Sequence, residues 1–333
     1  MKLELRSVRI KNCGPIDDIK IDFFDASGKT LPVCVIGGAN GSGKTTALEA
    51  ISAMFEFLGY SRSSNFLKSC FVEKPDFYIQ VDLNLTDLQI THLNEMSLVA
   101  GNAPPDARLL SSYFEIYQWN AARGSNDSVN ELYKEIYQKQ SAADNGGLPG
   151  AGTFPTVLFF PHNRSLAAVT STQIHKEDLG YHFFYHLQTV RQFPGSLTSY
   201  LIWLEYSDTE RFQQMQKFLN NLDFGGKTFH VNRKALDVFV RTESGHEHRL
   251  HELSSGEQNL LIILIELYRK LLSGSIVLID EIENSLHPAY QRRLAQGLLA
   301  LQKETPYQLI VTTHSPAFVE IFGEENTRLL TPF

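Results

Sequence analysis

The stretch Val33 to Ile51, "VCVIGGANGSGKTTALEAI", changes character half-way along. Up to Gly38 it is a short apolar run of the kind a buried strand carries. From Lys44 onward Leu48, Ile51, Phe55 and Leu58 recur at helical spacing. Between the two lies Gly38-x-x-x-x-Gly43-Lys44-Thr45. Glycines there let successive backbone N–H groups turn inward, and the helix start adds its positive end, so the loop suits a polyphosphate. Gly38, Ala39, Asn40, Gly41, Ser42, Gly43 and Thr46 supply the cradle, Lys44 reaches the outer phosphates, and Thr45 is placed to coordinate magnesium. A chance glycine-rich turn is the competing reading; it leaves the strand and the helix on either side unexplained.

A second half of the site follows downstream. "SIVLIDEIE" ends a buried strand in Asp280, a carboxylate at the sheet edge where such folds bind ligands. Asp280 is assigned to magnesium and Glu281 to the base that polarises the attacking water. "LIVTTHSP" places His314 just past a third strand, within reach of a terminal phosphate or of that water. A loop histidine capping the next helix is the alternative. Upstream, "LSSGEQ" at Leu253 to Gln258 opens a helix with Ser254, Ser255 and Gly256, a second anion cradle. Two cradles in one chain suggest a nucleotide clamped from both sides.

The 333 residues allow one large domain or two modest ones. Hydrophobic content of 43% with 20% charged residues excludes a disordered chain. A net charge of −7 argues against an all-over basic surface but permits a local patch. The longest apolar run, "LLIILIELY", is interrupted by Glu266 and is too short to cross a membrane. The N-terminus alternates like a strand and lacks a signal peptide's apolar block. Three cysteines, Cys13, Cys34 and Cys70, form neither a disulfide framework nor a zinc pattern. A cytoplasmic location is the expectation.

Alternation in "KLELRSVRI" and "IDDIKIDFF" predicts two strands before the glycine-rich loop, and "DFYIQVDLNL" and "SSYFEIYQWN" predict an antiparallel side sheet. The polar stretch Ala121–Gly152 is expected to hold one short helix and a flexible "NGGLPGAG". "TVLFFP" reads as a buried strand, Thr172–Leu222 as aromatic-rich helix broken at Pro194-Gly195, and "ALDVFVRT" with "EHRLHEL" as a hairpin turning at Ser244-Gly245. Strands then alternate with helices to the end, which implies a mainly parallel sheet covered on both faces. No repeat and no sustained heptads are present. The division is residues 1–164, an N-terminal ATPase lobe with the side sheet; 165–252, a helical insertion and hairpin; and 253–333, the C-terminal half of the core.

The ordered set "GANGSGKTT", "LSSGEQ", "IDEIENSLHP" and "TTHSP", with the opening "LELRSVRIKNCGPIDDIKIDF", resembles the ABC-type ATPase heads of the SMC and RecF kind. Its nearest likeness is to the stand-alone AAA ATPases related to overcoming-lysogenization-defect and Septu-type anti-phage proteins. The resemblance covers both ends of the chain, about a third of its residues. It implies an α/β P-loop NTPase, an ABC-type head with a mainly parallel sheet, an antiparallel side sheet and a helical lobe. It also implies that Ser254 acts in trans, contacting the terminal phosphate of ATP held by Lys44 and Thr45 of a second copy. The expected assembly is a homodimer around two magnesium-ATP sites, or a higher oligomer built from it, gating a separate effector such as a nuclease in anti-phage defence or DNA repair. Nucleic acid is a further candidate partner; a membrane is not. A nucleotide-dependent scaffold with negligible turnover, and a transporter's motor subunit, are the rival readings.

Three departures from that family bear on function. Ser-Ser-Gly-Glu stands where transporters have Ser-Gly-Gly-Gln, His287 stands where many relatives have aspartate, and "FFPHNR" (Phe159–Arg164) stands in place of the glutamine loop. The sequence from Ser315 to Phe333 leaves no room for a Toprim nuclease, so cleavage chemistry is expected of another chain. His246, His248 and His251, and separately His182 and His186 a helical turn apart, are weak metal candidates; a hairpin and an aromatic helix face are the preferred readings. The aromatics Tyr181, Phe183, Phe184, Tyr185, Phe193, Tyr200, Trp203 and Tyr206 are read mostly as core, with an exposed part available to a partner. Arg292-Arg293 and Arg233-Lys234 read as solvated pairs.

Overall fold

The computed structural model describes residues 2–59, 64–74, 76–86, 93–102, 108–144, 154–166, 174, 176, 181–187, 196–221 and 226–330. The N-terminal half runs β1 (Lys2–Cys13), β2 (Ile16–Asp22), β3 (Val33–Gly38), α1 (Lys44–Leu58), α2 (Asn65–Glu73), β4 (Tyr78–Thr86), β5 (Glu95–Gly101), β6 (Tyr113–Gln118), β7 (Ala121–Gly124), α3 (Asp127–Asp144) and β8 (Val157–Phe160). Then come β9 (Phe184–His186), α4 (Leu197–Ser207), α5 (Thr209–Asn221), β10 (Thr228–Asn232), β11 (Asp237–Arg241) and β12 (Glu247–Arg249). The chain closes with α6 (Ser255–Lys270), β13 (Ser275–Ile279), α7 (Pro288–Glu304), β14 (Tyr307–Thr313), α8 (Pro316–Phe322) and β15 (Thr327–Leu330).

Six strands form a parallel sheet in the order β15-β3-β14-β13-β8-β9. Alternate residues of these strands enter two different cores. Cys34, Ile36, Ile276, Leu278 and Ile310 join α1 and the second sheet; Val33, Val35, Val277, Ile279, Leu309 and Val311 join α4, α6, α7 and α8. A sheet covered on both faces has no polar side, which is why its strands read as continuous apolar runs. Helix α1 is buried well beyond the stripe of Leu48, Ile51, Phe55 and Leu58, because Ala50, Ala53, Met54 and Phe57 are buried as well.

The second sheet runs β2-β1-β4-β5-β6-β7 and is antiparallel except where β5 meets β6. A register shift between Leu5 and Ser7 lets Leu3 and Leu5 face the core together with Val8 and Ile10. One extra residue changes the phase of the alternation. A third sheet, β10-β11-β12, packs with α4 and α5 under α6. Among the described residues, no helix is long and apolar enough to cross a membrane.

Several sequence expectations need correction. The helix within Ala121–Gly152 is not short; α3 spans 18 residues, held by the narrow stripe Val129, Leu132 and Ile136. Phe184–His186 is a strand, not helix, and adds an edge to the parallel sheet inside the stretch expected to be a helical insertion. His182 and His186 therefore do not share a helix face. The Pro194-Gly195 break, Phe193 and "NGGLPGAG" lie outside the described residues. Strands β5, β7, β10 and β15 were not foreseen.

Candidate nucleotide site

Three glycines shape the loop between β3 and α1. Gly41 and Gly43 have φ of 79° and 83°, a backbone that L side chains resist. A Cβ on Gly38 would fall 2.5 Å from the Leu330 carbonyl oxygen. Lys44 begins α1, and its Nζ donates back to the carbonyls of Gly38 (3.0 Å) and Ala39 (2.8 Å). Burial lowers the Lys44 pKa, and Glu281, Glu283 and Asp280 pull it upward. Thr46 lies against Gly14, the turn between β1 and β2.

Asp280 leaves the end of β13 fully buried. Its Oδ1 accepts from Thr312 Oγ1 at 2.6 Å and from Thr45 Oγ1 at 3.2 Å. Its Oδ2 accepts no hydrogen bond among the described residues and faces His162 Nδ1 across 3.4 Å. A buried carboxylate oxygen left without a hydrogen bond beside a threonine hydroxyl is a donor set that fits a hard divalent cation. His162 belongs to "FFPHNR", so the segment standing in for the glutamine loop does reach this carboxylate.

Glu281 adopts φ 44°, left-handed for a residue with a side chain. Both its backbone groups are tied: its N–H donates to Thr312 Oγ1 (2.7 Å) and its carbonyl accepts from Arg164 Nη2 (2.9 Å). Two residues on, Glu283 accepts Thr313 Oγ1 (2.7 Å) and the His314 N–H (2.5 Å). The loop carrying His314 is thus fastened to the turn carrying Glu281, with the His314 side chain exposed.

Ser254 is the N-cap of α6, and the cradle there already has an anion from its own chain. Glu257 Oε2 accepts the Ser254 N–H (3.1 Å) and Oγ (2.9 Å), and its Oε1 takes Tyr290 OH (3.1 Å) and Lys227 Nζ. Burial pushes the Glu257 carboxyl up, but the hydrogen bonds from Lys227 and Ser254 outweigh it and the pKa is lowered. Ser255 opens the helix, and Gly256 presses on the turn after Glu281: a Cβ there would meet the Ser285 carbonyl oxygen at 2.6 Å. His287, at the position where aspartate was the family expectation, caps α7, its Nδ1 accepting the Ala289 N–H at 3.3 Å.

The structure gathers Lys44, Thr45, Asp280, Glu281 and the His314 loop around the C-terminal ends of β3, β13 and β14. Ser254 opens a helix on the other side: α1 packs on one face of the parallel sheet and α6 on the other. Asn259, Thr312 and Glu283 were given no role by the sequence reading, and Arg164 entered it only as the end of "FFPHNR". The available signal was their place at or just past the end of a strand or in the first turns of a helix, beside a motif. Among the described residues, no group of three histidines, cysteines or carboxylates is arranged for a metal. The His182 ring lies edge-on to Tyr185, and His186 lies against Phe159. Arg233 pairs with Glu205 at 2.8 Å. Tyr181, Phe183 and Tyr200 are buried, while Tyr206 is 68% exposed.

A family model described as "AAA domain" matches residues 7–177, half of the chain. This chain is a member of the AAA-domain family. A second model, whose description opens with "AAA domain" and names the AbiEii toxin of a type IV TA system, matches residues 198–320. The chain is 24% identical to "Retron Vc95 probable ATPase" of Vibrio cholerae over 99% of its own length and 74% of that protein's. It is 23% identical to the Septu protein PtuA of Bacillus thuringiensis, covering 96% of this chain and 73% of that one. Against the Septu protein PtuA of Bacillus mycoides it spans only 38% of the relative's length, at 22% identity. Among solved structures, an SMC head bound to the C-winged helix domain of ScpA aligns with a TM-score of 0.53 at 16% identity, covering 96% of this chain and 91% of that one. The fold is that of an SMC head, and the AAA family member described here is a relative of the retron protein and the Septu proteins.

Proposed function

We propose that this protein binds and hydrolyses magnesium-ATP, dimerises around it, and gates a separate effector, such as a nuclease, in anti-phage defence or DNA repair. The observation that carries the reading is the meeting of Thr45 Oγ1 with Asp280, whose second oxygen is buried and unbonded, beside the Lys44 loop. Gly38 to Thr46 would hold the phosphates, with Lys44 neutralising the outer ones. Magnesium would be held by Thr45 and Asp280, and supplies charge neutralisation at the phosphates when bound. Glu281 takes the proton of the attacking water, and His314 donates to the terminal phosphate or to that water. Ser254, with the N–H groups of Ser255 and Gly256, serves the site of a second copy.

The trans assignment is supported by the placement of α1 and α6 on opposite faces of one sheet, which keeps the two cradles of a single chain apart. A two-fold pairing of copies brings each cradle to the other's nucleotide. The Glu257 carboxylate at Ser254 would then have to turn away as the phosphate arrives. Retron and Septu relatives support the defence setting, and the unbridged thiols Cys13, Cys34 and Cys70 support a reducing cytoplasm. The division into 1–164, 165–252 and 253–333 is kept as a functional one: nucleotide lobe, insertion that meets partners, and signature half.

Glu281→Gln tests the assignment. The variant is expected to bind ATP as well as the parent, to sediment as an ATP-dependent dimer, and to lose about 100-fold or more in turnover, the range of general-base catalysis. Unchanged turnover would remove Glu281 from this role. A parent that binds ATP and dimerises with no measurable phosphate release would favour the scaffold reading.

A further inference from the structure

The guanidinium of Arg164 sits between the turn that carries Glu281 and the helix that begins at Ser254. Nη1 donates to the carbonyls of Pro161 (2.6 Å) and Asp280 (2.7 Å), and Nη2 to the carbonyl of Glu281 (2.9 Å). Nε donates to Asn259 Oδ1 at 2.6 Å. Asn259, buried in the first turns of α6, uses its Nδ2 to reach the Asn284 carbonyl at 2.5 Å. All three nitrogens are spent on neutral acceptors, although Asp280, Glu281 and Glu283 lie close enough to raise the Arg164 pKa. Burial outweighs them and brings it down to about 10. A charge withdrawn from water and bonded to carbonyls rather than carboxylates is placed for geometry, where a planar fork has directions that an ammonium lacks.

We propose that Arg164 is a positioning residue that links the start of α6 to Glu281 within one chain. The turn Glu281–Ser285 is held on one side by Arg164 and on the other by Asn259 and Gly256, the latter against the Ser285 carbonyl. Glu281 stands at φ 44°, a conformation that a side-chain-bearing residue keeps only when its neighbours hold it. A shift of the helix start at Ser254, as it engages the phosphate of the partner copy, therefore moves the carbonyls that fix Glu281. This gives each chain a route between the site it completes in trans and the site it serves in cis. The route does not use position 287, where histidine caps α7. The proposal rests on the reading of Glu281 as base and Ser254 as the trans contact.

Arg164→Lys keeps the charge and removes the fork. It is expected to lower kcat about 30-fold or more while KM for ATP and ATP-dependent dimerisation stay within about threefold, the signature of a group acting on the transition state alone. Asn259→Leu, which cuts the tie to α6 and leaves the Arg164 contacts to the Glu281 turn, should lower kcat about tenfold with the same unchanged KM. The double variant should be no worse than Arg164→Lys, because the two residues act through one connection. Wild-type kcat in Arg164→Lys would overturn the proposal. So would additive losses in the double variant, or losses of turnover and ATP affinity in equal proportion. If Arg164→Lys fails to fold, Asn259→Leu decides on the same kcat-against-KM criterion. Glu281→Gln run in parallel separates the two failures: full turnover there defeats the base assignment, whereas lost turnover there with normal Arg164→Lys defeats only the link.

Discussion

Thr312 Oγ1 donates to Asp280 Oδ1 at 2.6 Å and in the same position accepts the Glu281 N–H at 2.7 Å. One hydroxyl thus aims the carboxylate assigned to the metal and holds the backbone of the residue assigned as base. Thr312→Val keeps the shape and deletes both bonds. A buried donor left without a partner costs about 1–3 kcal/mol, so denaturant unfolding should show a loss of that size. ATP turnover should fall about tenfold or more, and Thr312→Ser should restore most of both quantities.

Gly256→Ala tests the contact between α6 and the Glu281 turn. The added Cβ would lie 2.6 Å from the Ser285 carbonyl oxygen, and Ser285 is itself left-handed at φ 62°, so the turn has little freedom to retreat. Overpacking of this kind costs about 1–3 kcal/mol. The expected result is a lower melting temperature, nearly intact ATP binding, because the Lys44 loop lies elsewhere, and strongly reduced turnover.

Ser254 has two separable tasks, and two substitutions divide them. Ser254→Ala removes the N-cap and should cost about 1 kcal/mol of stability as well as turnover. Ser254→Asn retains a capping side chain and should leave stability nearly unchanged, yet remove turnover, since a larger amide does not fit the partner's phosphate as a hydroxyl does. Normal turnover in Ser254→Asn would leave the serine with its capping role only.

Alkaline pH should destabilise the fold by a predictable sign. Burial pushes the Cys34 thiol from its ordinary 9.0 up to about 12, and pushes the Tyr200 phenol from 10.0 up to about 12. Tyr307 is raised by burial as well. Each keeps its proton in the folded chain at a pH where the unfolded chain has lost it, so the folded state binds more protons. Stability is therefore fully present below pH 9 and falls as pH rises toward 12, by about 1.4 kcal/mol per pH unit for each group titrating. Unfolding free energies measured from pH 8 to 11 should decline, and Cys34→Ala should flatten the part between pH 9 and 10, where the thiol titrates first.

How much of this was readable depends on whether the cause is local. Strands β3, β13 and β14 and helices α1, α6, α7 and α8 lie where apolar runs, helical spacing and capping residues put them, because each is decided within its own segment. Strand β9 is three residues long and exists through pairing with β8; nothing inside "FYH" distinguishes it from helix. Helix α3 looked short because its buried stripe is narrow in a polar sequence. In the site, the adjacency of Thr45 and Asp280 follows from motif spacing on parallel strands. Arg164 was opaque for the opposite reason: the partners that tie it to the Glu281 turn are backbone carbonyls more than a hundred positions away, which carry no sequence signal. The Glu257 carboxylate at Ser254 was legible in principle as a capping box, since serine and glutamate stand three apart.

The central claim, that Ser254 completes a site on another copy, is tested most directly by mixing two disabled variants. Ser254→Arg and Lys44→Ala should each be inactive alone. In a mixed dimer, one site joins the intact loop of the first variant to the intact helix start of the second. Random pairing of equal amounts should then restore about a quarter of the parental ATP turnover, because half the dimers carry one sound site of two. No recovery in the mixture, with mixed dimers demonstrated by tagged copies, would show that each chain works on its own nucleotide and would contradict the account.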